Sequence, residues 1–115
     1  MKHTSNLSPF EIAVLLLCHR VGYGYIIFTL QGRRPDEAGI SVKENIDCKK
    51  ERWEPRYLGD PRSQISDAQM VAISAMRGSS LDREIHITVN GGQPVKVEIL
   101  YTIPLAQLKI VLPKS

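Results

Sequence analysis

The chain has 115 residues, 43% of them hydrophobic, and a formal net charge of +3. That length suits one domain around one core and leaves little room for a second. Basic residues outnumber acidic ones by two to one in residues 1–31, eight to seven in 32–64 and five to four in 65–115, so each stretch nets +1 and none is a basic block; two isolated cysteines, Cys18 and Cys48, exclude a disulfide scaffold or a zinc knuckle.

The first apolar run, Ile12 to Cys18, follows Lys2 and His3. It does not read as a leader or an anchor. Pro9 and Glu11 interrupt the approach, Leu17 is too large to precede a cleavage site, and the run falls short of the ~20 residues of a membrane span. A cytoplasmic protein with no membrane partner is expected.

Ser8-Pro9-Phe10-Glu11 instead predicts a helix start. Ser8 caps the third amide, Glu11 reaches back to the Ser8 amide, and Pro9 sits where its missing N–H costs nothing. The first helix is expected over about Pro9 to Arg20. Phe10, Ile12, Val14, Leu15, Leu16 and Leu17 make it apolar on nearly every face, which predicts a central position, and Gly22 is its stop. Tyr25 to Leu30 reads as a buried strand between Gly24 and Gly32. Residues 32–40 read as a loop. The same capping pattern recurs at Ser41-Val42-Lys43-Glu44 and predicts a second, charged helix over about Val42 to Trp53, ended by Pro55. A second loop, residues 54–65, carries two prolines.

Ser66-Asp67-Ala68-Gln69 opens a third helix over about Asp67 to Arg77, with Ala68, Val71, Ala72, Ala75 and Met76 on one stripe. Leu7 with Ile12 and Ile65 with Met70 form hydrophobic staples at the first and third starts. Glu84 to Val89 and Val95 to Thr102 alternate apolar and polar around Asn90-Gly91-Gly92, the pattern of a β-hairpin. Pro94 could instead open a short helix, but β-branching at Val95, Val97 and Ile99 favours the strand. The apolar tail from Pro104 to Pro113 is expected to pack back on the domain. The whole reads as one α+β domain, residues 1–115, with a charged insertion over 32–64 between the first strand and the third helix.

Helix, strand, helix, helix, strand, turn, strand is the element order of a winged helix: three helices, a small antiparallel sheet and a C-terminal hairpin. The segment Leu7-Ser8-Pro9-Phe10-Glu11-Ile12-Ala13-Val14-Leu15-Leu16 also resembles the opening of a group of small phage and prophage proteins. Thr102-Ile103-Pro104-Leu105 and Ile110-Val111-Leu112-Pro113 are similar to their endings. The resemblance covers about 25 residues at the two ends and implies a winged-helix-like body and a phage or prophage origin. Residues 32–64 are longer than that pattern allows. The twelve or so residues between Trp53 and Ser66 also exceed the ~3–4-residue turn of a helix-turn-helix.

Two functional readings follow. In the first, a DNA-binding accessory or regulatory protein places Gln69 and Arg77 against base edges and Arg83 and Lys96 against phosphates. In the second, a non-enzymatic protein-binding module grips a protein partner with Arg33, Arg34, Arg52, Trp53, Arg56 and Tyr57, or with an exposed strand edge. Acidic residues interleaved through 36–60 suit a protein better than a polyanion. His3, His19 and His86 have no ligand or triad partner at useful spacing, and Gly22-Tyr23-Gly24 precedes its strand, the wrong order for a phosphate loop. Neither catalysis nor a metal or cofactor is expected.

Overall fold

A computed structural model describes residues 7–32, 34–49, 53, 65–78 and 81–110. Among them are two α-helices and five strands: α1 (Pro9–Val21), β1 (Tyr23–Gln31), β2 (Arg34–Pro35), β3 (Ser41–Glu44), α2 (Asp67–Met76), β4 (Arg83–Asn90) and β5 (Gln93–Tyr101), followed by a 3₁₀ segment at Leu105–Ile110. Every strand pairing is antiparallel. β1 lies between β4 on one side and the short strands β2 and β3 on the other, and β5 flanks β4.

This is an α+β fold but not a winged helix. The expected second helix is absent where its start was read: Ser41 to Glu44 pair with Ile27 to Gly24 of β1, Val42 lying opposite Ile26. The Ser41/Glu44 spacing satisfies a helix cap, but β1 offers the same residues a ladder of strand pairing. Asp47 then accepts from the Lys49 amide at 2.9 Å, a local turn that competes with helix. Residues 50–52 of that expected helix lie outside the described residues. The expected loop over 32–40 is shorter than read, because Arg34 and Pro35 pair with Gln31 and Leu30.

The two real helices begin as their residues dictate. Ser8 Oγ accepts from the Glu11 amide and Glu11 Oε1 accepts from the Ser8 amide; Ser66 and Gln69 repeat the exchange in α2. Both helices lie on one face of the sheet. That face carries Ile26, Phe28 and Leu30 of β1 and Ile85, Ile87 and Val89 of β4, packed against Val14, Leu15, Cys18 and Val21 of α1 and Ile73 and Met76 of α2. α1 is therefore buried along one stripe, not all round: Leu16, on its far side, is half exposed. Burial pushes the Cys18 thiol up to about 12, so it stays protonated and inert at neutral pH. Among the described residues no helix is long and apolar enough to cross a membrane.

The tail departs from expectation too. Leu105 is 79% exposed, so this part of it does not pack back on the domain; residues 111–113 lie outside the described residues.

Candidate protein-binding edge

The hairpin forms because Asn90-Gly91-Gly92-Gln93 permits a two-residue turn, both central glycines holding positive φ. The Gly92 amide donates to the Gly22 carbonyl at 2.9 Å and anchors the turn to the end of α1. Thr88 pairs with Lys96 and Val89 with Pro94, so Val95 is the extra residue of a β-bulge. Beyond the bulge the ladder runs regularly to Arg83 opposite Tyr101.

Among the five strands β5 has β4 as its one neighbour, and Ser66 Oγ donates to Gln93 Oε1 at 2.9 Å at its start, so the stretch of its outer edge without a neighbouring strand is Pro94 to Tyr101. Strand edges present unpaired N–H and C=O groups to any extended chain. Along this edge and just past it stand Val95, Ile99, Leu100, Tyr101, Ile103 and Leu105, all exposed. Ile99, Leu100 and Tyr101 are consecutive, so apolar side chains emerge on both faces of the strand. The opposite edge contrasts: β2 has two residues and β3 four, every one exposed, and the Asp36 turn separates them. Short, interrupted, charged edges resist strand addition.

The face of the sheet away from the helices is polar and mixed in sign. One cross-strand row reads Lys43, Tyr25, Thr88, Lys96, and the next Ser41, Ile27, His86, Glu98. Lys43 Nζ sits 5.7 Å from the Tyr25 ring centre, His86 Nε2 3.2 Å from Glu84 Oε1, and Lys96 Nζ 3.6 Å from Glu98 Oε1. Exposed pairs of this kind contribute little to stability. Among the described residues no group of His, Cys, Asp or Glu is placed to hold a metal ion.

The four residues expected to contact DNA do not share a surface. Gln69 holds the cap of α2. Arg77 is bound through two nitrogens to Glu11, Nε to Oε2 at 2.7 Å and Nη2 to Oε1 at 2.6 Å. Arg83, expected at the surface, is 2% exposed; its guanidinium donates to the carbonyls of Gly32, Leu81 and Met76. Lys96 pairs with Thr88, on the face away from the helices.

Of the residues expected to grip a protein, Arg33, Arg52, Arg56 and Tyr57 lie outside the described residues. Arg34 is exposed in β2. Trp53 is half buried, its Nε1 donating to the His19 carbonyl at 2.8 Å and its ring edge-on to His19 and Tyr23. The edge residues from Ile99 to Leu105 were missed as a site because their hydrophobicity reads as core. Their one legible signal is the break in alternation at Ile99-Leu100-Tyr101.

The Glu11–Arg77 pair clamps the start of α1 to the end of α2. Burial alone would raise the Glu11 carboxyl, but the hydrogen bonds from Arg77 and Ser8 outweigh it and hold it below its ordinary 4.5. A carboxylate with a depressed folded pKa stabilises fully above its unfolded pKa and loses that contribution as pH falls through the folded one. Glu11→Gln should therefore cost about 1–2 kcal/mol at neutral pH, the low end for ionic hydrogen bonds because the Arg77 side chain is 40% exposed. Thermal melts of the variant and the parent should differ by a constant amount down to about pH 4.5 and converge below it. A gap that persists unchanged into acid would rule out the ionised pair as its source.

Compared with protein-family models, curated proteins and solved structures, the chain matches none.

Proposed function

We propose that this chain is a non-enzymatic protein-binding module that takes an added strand along the outer edge of β5. The observation that carries the reading is the contrast, among the described residues, between the two edges: a long strand edge with exposed apolar side chains from Val95 to Tyr101 on one, and short, interrupted, exposed strands on the other. Strand addition draws affinity from backbone hydrogen bonds and specificity from alternate side chains. Leu100 and Tyr101, with Ile103 beyond them, supply apolar contacts on both faces of the strand. Two of the four side chains read for DNA, Arg77 and Arg83, are bonded within the chain, and Lys96 has a glutamate beside it. A polyanion needs several cations on one surface.

A photoreactive phenylalanine analogue at Leu100, with Val42 of β3 as control, tests the reading in living cells. A discrete protein adduct from position 100 and none from 42 is expected. Adducts to nucleic acid, adducts only from position 42, or none from 100 would overturn it.

A further inference from the structure

We infer that the strand added to β5 is β5 of a second copy of this chain, running antiparallel about a two-fold axis through Val97. The inference rests on the strand-addition reading and names its occupant. β5 spans Gln93–Tyr101, nine residues, and Val97 is its midpoint. Two identical strands pair antiparallel only about an axis perpendicular to the sheet, which keeps both helix-covered faces on one side. Directly opposite residues point to the same face, so the axis passes through a residue and not between two.

The charges then choose the residue. An axis through Lys96 sets each Lys96 against its own copy, and an axis through Glu98 sets two carboxylates together. Like charges directly opposite are destabilising. An axis through Ile99 pairs only residues 97–101 and sets Glu98 against Leu100. An axis through Val97 centres the regular stretch 96–98 and brings residues 94–100 of the two strands alongside each other, with Gln93, which accepts from Ser66 Oγ at 2.9 Å, outside the pairing. It sets Lys96 of each chain opposite Glu98 of the other, and Val95 opposite Ile99, twice over. Within one chain Lys96 Nζ already lies 3.6 Å from Glu98 Oε1, both side chains mostly exposed. The dimer would join two such pairs into a ring of four alternating charges. Pro94 and the bulge at Val95 fall toward the two ends of the pairing, opposite Leu100 and Ile99, and leave residues 96–98 regular at its centre. Such a dimer joins two sheets into one and covers the apolar side chains that the edge exposes.

Sedimentation equilibrium over a concentration series tests this on the full chain. The parent is expected to be a dimer at high micromolar concentration and to dissociate on dilution. K96E places a carboxylate opposite Glu98 of the second copy, and E98K places an ammonium opposite Lys96. Each should weaken self-association by about tenfold or more, two opposed pairs being reversed at once. An equimolar mixture of the two variants should associate again, because every opposed pair in the mixed dimer has opposite signs, and so should the double variant K96E/E98K. Restoration by mixing separates a broken interface from a broken fold. A parent that stays monomeric, or a dimer indifferent to both single changes, would overturn the inference. If position 100 still yields a crosslink to a different protein, strand addition stands and only self-pairing falls.

Discussion

Replacing Arg83 by methionine is expected to cost about 3 kcal/mol of folding stability, a large share of the ~5–15 kcal/mol that holds a domain of this size. Arg83 is 2% exposed at the start of β4. Its Nη1 donates to the Gly32 carbonyl at 2.9 Å and the Leu81 carbonyl at 2.8 Å, and its Nη2 to the Met76 carbonyl. Three segments meet at this one group: the end of β1, the approach to β4 and the last turn of α2. Met76 closes α2, so its carbonyl belongs to the negative end of the helix dipole, which favours a cation there. Two effects oppose each other in the variant. Methionine relieves the desolvation cost of a buried charge, worth several kcal/mol, and of the Nε, which finds no partner among the described residues. It also strips three carbonyls of charged donors, at roughly 1.5–3 kcal/mol each. The second wins because three acceptors on three segments cannot all turn to water together. Arg83→Lys keeps the charge but lacks the planar fork, and should fall about midway. Urea unfolding of the two variants checks the order. A methionine variant as stable as the parent would show that desolvation cancels the hydrogen bonds.

The same residue marks where sequence reasoning stops. An arginine beside a glutamate at the head of an alternating strand reads as a surface charge, and only the meeting of Gly32, Met76 and Leu81 around it makes it interior. The features that were legible are local. Ser8 and Glu11, Ser66 and Gln69, and the Asn90-Gly91-Gly92 turn act within a few residues, and each forms as its chemistry dictates. The alternation of Ile85, Ile87 and Val89 likewise marks the buried face of β4. What failed depends on partners far along the chain. Ser41 to Glu44 carry a good helix cap, yet β1 recruits them as a strand. The proposed binding edge shows the same split: strand β5 could be read from β-branching, but its exposure depends on what the rest of the fold leaves uncovered.

Gly22→Ala is the second large effect, and it should appear in fluorescence as well as in stability. Gly22 ends α1 at φ +76 and ψ −60, a γ-turn conformation that alanine enters at a cost of roughly 1–3 kcal/mol. A Cβ there would lie 2.2 Å from Cγ of Trp53, inside any tolerable contact. The atoms that such a Cβ would meet, Cγ, Cδ1 and Cδ2, belong to the inner part of the rigid ring and not to a flexible end, so they cannot swing aside by themselves. Trp53 must therefore leave, and with it go the hydrogen bond to the His19 carbonyl and the two edge-on ring contacts at 5.7 Å with His19 and Tyr23. Together these losses should reach about 3 kcal/mol, the low end for removing a packed tryptophan because this one is only half buried. Trp53 is the sole tryptophan, so its emission should shift to longer wavelength as the ring enters water. Gly39→Ala is the matched control. Gly39 also has positive φ, +89, but nothing lies within 4 Å of its added Cβ, so it should lose only the backbone share, about 1 kcal/mol, with unchanged emission. If Gly22→Ala keeps the parent's spectrum and loses no more than Gly39→Ala, Trp53 does not rest on Gly22, and the seam joining the end of α1, the hairpin turn and the segment after β3 is not built around that ring.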